Sequence, residues 1–143
     1  MGRKTLTFNG FGFPILLVNV SMKTEHGEEL PDVSYKAMEQ LLFEAVIRKP
    51  ARLCGAEVKF LRHHFEMTQF AFAKLLKIER SLVSKWESKD LKATGMTVHA
   101  EIFLRLKLAK LANNTTANDF EVIELGAGTK GVGKPLAIDL KAS

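Results

Sequence analysis

Between residues 68 and 92 the chain gathers side chains that donate hydrogen bonds or carry positive charge: Thr68, Gln69, Arg80, Ser81, Ser84, Lys85, Lys89 and Lys92. Groups of this kind bind rather than break bonds. A guanidinium is a rigid fork that matches the N7 and O6 acceptors of guanine, and hydroxyl and ammonium groups serve base edges or phosphate oxygens. Arg80 is the best candidate for a bidentate contact to a base, with Ser81 and Lys85 following on the same exposed side. Thr68, Gln69, Ser84, Lys89 and Lys92 suit phosphates. Gln69 stands at the start of its helix, where the dipole and free backbone donors favour an anion.

The elements that must hold these groups are short. Met67–Glu87 reads as two helices, over about Gln69–Leu76 and Arg80–Glu87, with Thr68 where an N-cap belongs. Phe72, Ala73 and Leu76 make one apolar face, and Leu82, Val83 and Trp86 are the apolar positions of the second helix. Lys77-Ile78-Glu79 is too short for a loop with structure of its own. Two helices packed across such a turn make a helix-turn-helix shape, and the second would present its basic and hydroxyl groups as a helix entering a major groove must.

Thr68-Gln69, Phe72-Ala73, Leu76, Ile78 and Val83-Ser84-Lys85-Trp86-Glu87 resemble the helix-turn-helix of the phage-repressor, or Xre, family of DNA-binding domains. The resemblance covers about Leu53–Leu111. It implies a lambda-repressor-like bundle, a small Ala73 that lets two helices approach, and a structural ion pair between Arg62 and Glu87. Lys77 departs from the family pattern, which has Gly at that place to relieve a left-handed conformation. Upstream, Pro50-Ala51-Arg52-Leu53-Cys54-Gly55-Ala56-Glu57-Val58-Lys59-Phe60-Leu61-Arg62 is similar to the segment that opens this domain in bacterial antitoxins of the MqsA and HigA kind. The N-terminal residues are faintly similar to the β-rich half of MqsA. That half binds zinc through cysteines, which this chain lacks.

Other chemistry is weakly supported. Glu25, His26, Glu28 and Glu29 have no metal-ligand spacing and read as a solvated turn. Cys54 and His63 could be cast as nucleophile and base, but nothing marks the thiol as activated. His63 and His64 are adjacent, so they point apart and suit a surface better than a metal. Gly128–Lys134 has the spacing of a phosphate loop, yet Pro135 stands where Ser or Thr should hold magnesium. No enzyme, metal or cofactor is expected.

Composition sets the frame. With 143 residues, 46% of them apolar and 26% charged, the chain can build one core with appendages. The longest apolar run, Phe13–Val18, contains Pro14 and is too short to span a membrane. The N-terminus shows no signal cleavage pattern, and a single Cys suits a reducing compartment, so a cytoplasmic protein is expected. The net charge of +5 is unevenly placed: residues 48–110 hold 14 Lys/Arg against 6 Asp/Glu, residues 1–47 hold 4 against 6, and residues 111–143 hold 3 against 4. The basic block coincides with the helix-turn-helix, the footprint of a polyanion-binding core.

The remaining elements follow from pattern. Residues 1–33 read as β, with turns at Asn9-Gly10 and Glu25–Glu28 and a strand at Ile15–Val20. Residues 34–52 read as a helix and linker, capped by Asp32 or Ser34, ended by Pro50, with Met38, Leu41, Leu42, Ala45 and Val46 inward and Tyr35 joining them. The DNA-binding domain takes 53–113. Its first helix puts Val58, Leu61 and Phe65 in the core, and its start should be weakened by Cys54, a poor capping acceptor. Phe70 lies off the apolar face of its helix, which suggests an enlarged core ahead of a subunit contact. Helix 97–112, capped by Thr97 and stopped at Asn113-Asn114, is apolar on two faces: Ile102, Leu106 and Ala109 on one, Leu104, Leu108 and Leu111 on the other. The spare face would make a dimer or pack on residues 34–49. A β-hairpin-like tail, 114–143, carries strands at Phe120–Leu125 and Leu136–Leu140.

The expectation is therefore a mainly α, α+β chain: a lambda-repressor-like helix-turn-helix bundle with β-rich flanks. Its function would be sequence-specific transcriptional repression by a homodimer on a palindromic operator in double-stranded DNA. The antitoxin resemblance adds a toxin protein as partner and control of its own operon. A plain Xre-type regulator, or an interaction module with an inactive helix-turn-helix, is the alternative.

Overall fold

The alternating N-terminal residues form strands, and the longer 3.6-period stretches form helices. The computed structural model describes residues 4–112 and 128–140. In chain order the elements are β1 (Lys4–Phe8), β2 (Ile15–Val20), β3 (Met22–Glu25), β4 (Glu28–Pro31), α1 (Tyr35–Arg48), α2 (Gly55–His64), α3 (Gln69–Leu76), α4 (Arg80–Glu87), α5 (Val98–Leu111) and β5 (Leu136–Asp139). The chain is α+β. Among the described residues no helix is long and apolar enough to cross a membrane.

The chain divides into two compact units, Met1–Ala45 with Pro135–Ser143, and Val46–Lys134. In the first, β2 is central: β1 pairs with it antiparallel and β5 parallel. Leu136–Asp139 thus lies beside β2; the other strand expected in the tail, Phe120–Leu125, and the expected stop at Asn113-Asn114 lie outside the described residues. An extra residue on β2 shifts the register between Lys4 and Leu6, and Asn19 takes a left-handed φ of 59° beside the shift. Phe13, Ile15, Leu17, Val20, Met38, Leu42, Phe43, Ile138 and Leu140 are buried. β3 and β4 form a separate, exposed hairpin whose turn residues His26 and Gly27 have φ of 51° and 80°, the primed geometry that matches strand twist. Ser34 caps α1 through the Ala37 N–H at 3.0 Å. Tyr35 is half exposed, against the expectation of a core role; its ring meets that of Phe11, centroids 4.7 Å apart.

The second unit holds α2 to α5. Leu53, Val58, Phe60, Leu61, Phe72, Ala73, Leu76, Val83, Trp86, Met96, Leu104, Leu108 and Ala109 are buried. Phe65 was expected inside but is only half-buried, because it is the C-cap of α2 rather than part of its regular face; Phe60 takes the inward position. Phe70 is 67% exposed, so it does not enlarge the core. The start of α2 is not short of acceptors, contrary to the reading from Cys54. The Glu57 carboxylate accepts the Cys54 N–H at 2.9 Å, and the Lys92 and Asp90 carbonyls accept from Gly55 and Ala56. That approach is why residue 55 is Gly: a Cβ there would lie 2.4 Å from the Trp86 carbonyl.

Helix α5 does not sort into the two apolar faces the sequence suggested. Leu104, Leu108 and Ala109 are inside, Leu106 and Leu111 are exposed, and the inward face also carries Glu101 and Arg105, both fully buried. Glu101 receives Arg52 Nε at 2.9 Å, the Leu53 N–H at 3.2 Å and Arg105 Nη2. Arg105 also donates to the carbonyls of Ile47, Lys49 and Ala51. Lys49 and Glu57 make a second buried pair at 2.7 Å. These buried charges pair with one another and with backbone carbonyls, Arg105 Nε being left without a hydrogen-bond partner among the described residues, and they tie residues 47–53 to α2 and α5. Burial pulls the Arg105 guanidinium below its ordinary pKa, opposed by Glu101.

Candidate nucleic-acid interface

The candidate site is built on α3, α4 and the turn between them. Thr68 has extended backbone at the N-cap of α3, and its Oγ1 accepts the Ala71 N–H at 3.0 Å. Its hydroxyl is therefore already engaged in starting the helix that carries Gln69. At the far end Lys77 takes a left-handed conformation, φ 58° and ψ 44°, and the Ile78 N–H returns to the Ala73 carbonyl at 3.0 Å. The chain then reverses into α4. Phe72, Ala73 and Leu76 on α3 and Val83 and Trp86 on α4 are buried.

Burial of Val83 and Trp86 leaves Arg80, Ser81, Ser84 and Lys85 exposed on the outer side of α4, with Lys92 exposed in the loop beyond and Lys89 half-buried. A chain of hydrogen bonds runs from the core to this surface. Arg62 on α2 forks onto Glu87, Nε to Oε2 at 2.7 Å and Nη2 to Oε1 at 2.9 Å, and its Nη1 reaches the Met67 carbonyl. Two parallel charge-assisted bonds fix the geometry as well as the charge. Glu87 Oε1 also accepts Gln69 Nε2 at 3.2 Å, and Gln69 Oε1 accepts Arg80 Nη1 at 3.2 Å. The buried pair thus orients Gln69, and Gln69 orients Arg80. One Gln69 amide N–H remains for an anion, and Arg80 keeps donors beyond the one given to Gln69.

The sequence reading missed three features of this surface. Gln69 positions Arg80 across 11 residues, which no local pattern shows. Leu82 is 38% exposed at the edge of the buried face rather than inside with Val83 and Trp86. Ile78, Glu79, Ser81, Leu82 and Lys85 line one open groove beside Arg80. Ile78 lies in the turn before α4, so no helical period joins it to Leu82 and Lys85, and the groove exists only once the turn is folded.

Among the described residues no three His, Cys, Asp or Glu side chains group as metal ligands. Cys54 is buried, and burial together with the neighbouring Glu57 carboxylate pushes its thiol up to about 12, so at neutral pH it stays protonated and is no nucleophile. Gly128–Lys134 does not open a helix, as a phosphate loop would; turns close through Val132 to Thr129 and Lys134 to Gly131. No family model, curated protein or solved structure matches the chain.

Proposed function

We propose that residues 53–113 are a lambda-repressor-like helix-turn-helix domain and that the chain is a sequence-specific, DNA-binding transcriptional repressor. One observation carries this: a buried Arg62–Glu87 pair holds, through Gln69, an exposed arginine at the start of an exposed polar and cationic helix face. A solvated surface helix has no need of such a support. The basic balance of residues 48–110 supports the same reading.

In this reading α4 lies in the major groove. Arg80, Ser81 and Lys85 meet base edges, and Gln69, Ser84, Lys89 and Lys92 meet phosphates, with Thr68 setting the helix start. A single short helix reads few base pairs, so the repressor acts as a homodimer on a palindromic operator, half-sites about one helical turn apart. The partly exposed apolar side chains Phe103, Leu106 and Leu111 of α5 supply the dimer surface. The mildly acidic balance of residues 1–47 suits a second task, binding a toxin protein, which makes the chain a cytoplasmic antitoxin that represses its own operon.

The test is binding to DNA from the chain's own upstream region against scrambled DNA over a salt series. Preference for the upstream fragment, with affinity falling steeply as salt rises, is the expected result. Arg80→Ala should cost about 1–3 kcal/mol and relax the choice of one base per half-site. Equal, weak binding to both fragments would sink the repressor reading. Capture of the neighbouring gene's product by the full chain would separate an antitoxin from a plain regulator.

A further inference from the structure

We infer that α4 reads a thymine, whose C5-methyl seats in the groove between Ile78 and Leu82. This rests on the DNA-binding reading above and names one base of the site. The groove has a mixed lining: Ile78 and Leu82 are apolar, Ser81 and Lys85 are donors, and Glu79 is acidic. Ser81 and Lys85, which the reading above sets on base edges, line the groove together with the exposed Leu82, and Ser81 Oγ reaches Glu79 Oε2 at 3.5 Å.

A helix face that enters a groove must give every part of itself a partner. An apolar floor wants an apolar ligand, and thymine alone of the four bases shows one, its C5-methyl, in the major groove. The atom next to that methyl is O4, an acceptor, and Lys85 lines the same groove as a donor. A cytosine would set its N4 donors against the Lys85 ammonium. Glu79 repels phosphate, so it keeps this groove on base edges while Lys89 and Lys92 take the backbone. Arg80 on guanine and Ile78/Leu82 on a nearby thymine then make a two-base reading unit from one turn of helix.

The experiment uses the full chain and its upstream fragment, with the bound site located by footprinting. Synthetic duplexes then replace each thymine of the half-site by deoxyuridine, one position at a time, which removes only the methyl. One position should weaken binding by about fourfold, the worth of one buried methyl. In Leu82→Ala that penalty should vanish, and in Leu82→Met, which keeps an apolar side chain, it should persist. Leu82 is exposed, so both variants should retain the wild-type circular dichroism. Wild-type binding that ignores every thymine methyl overturns the inference and leaves the repressor reading intact, as does a penalty that survives Leu82→Ala. Failure to prefer the upstream fragment at all overturns both.

Discussion

Lys77 shows how much one residue's backbone can reveal. Its φ of 58° and ψ of 44° are the left-handed values that an L-residue with a Cβ adopts at a cost of about 1–2 kcal/mol. The sequence marked the place, since the resembling family carries Gly there, and the turn keeps its shape without it. Part of the cost is offset, because an exposed cation at the end of α3 complements the helix dipole. Gly also gains freedom in the unfolded chain. Lys77→Gly should therefore raise stability by only about 0.5–1 kcal/mol, read as a higher urea midpoint at unchanged slope, with operator affinity unchanged. A lower midpoint would show that the lysine, through the helix end, outweighs the strain. Arg80 makes the complementary point. Residue type made it a candidate base reader, but its orientation by Gln69 depends on a bond that only the folded turn creates.

At the scale of elements, legibility followed the range of the interactions. The β3–β4 turn, the Thr68 and Thr97 caps and the bounds of α3 and α4 rest on neighbours a few residues away, so composition and spacing announced them. Helix α5 was misread because Glu101 and Arg105 look like a solvated i, i+4 pair. They are buried because their other partners are Arg52 and the backbone of residues 47–53, some 50 residues distant. The start of α2 was misread for the same reason: its acceptors are Glu57 and the carbonyls of Asp90 and Lys92. This enclosure has a consequence for pH. Burial raises the Cys54 thiol from an ordinary 9.0 to about 12, so the folded state holds the proton more tightly than the unfolded state. Its contribution to stability is complete below about pH 9 and fades as pH rises toward 12. At pH 8 Cys54 should alkylate at the rate of global unfolding and react freely in urea. In alkaline titration the urea midpoint should fall less steeply in Cys54→Ala than in wild type. Rapid alkylation of the folded protein would show that the α2 start opens locally.

For the whole molecule, the proposed repressor function requires more than one short helix. A few base contacts from one copy discriminate weakly, whereas two copies on one palindrome multiply the discrimination. Phe103, Leu106 and Leu111 are 47%, 40% and 44% exposed and, with Lys107 and Lys110 between them, form a mixed strip on the side of α5 away from the buried Leu104 and Leu108. If this strip joins two copies, a charge placed within it should separate them without unfolding either. Leu106→Glu should thus keep its melting temperature within a few degrees of wild type at low concentration, sediment as a monomer, and lose at least about tenfold in operator affinity. The cost of burying an unpaired carboxylate at an interface is ample for that. The variant should still bind a single half-site as wild type does, because Leu106 is remote in sequence from Arg80 and its supports. A wild-type protein that sediments as a monomer at micromolar concentration would overturn the homodimer, and a Leu106→Glu variant that remains a dimer would move its surface elsewhere. In the second case the base contacts proposed for α4 would be untouched, since they concern one copy, and the search for the partner surface would turn to the exposed Phe70 on α3.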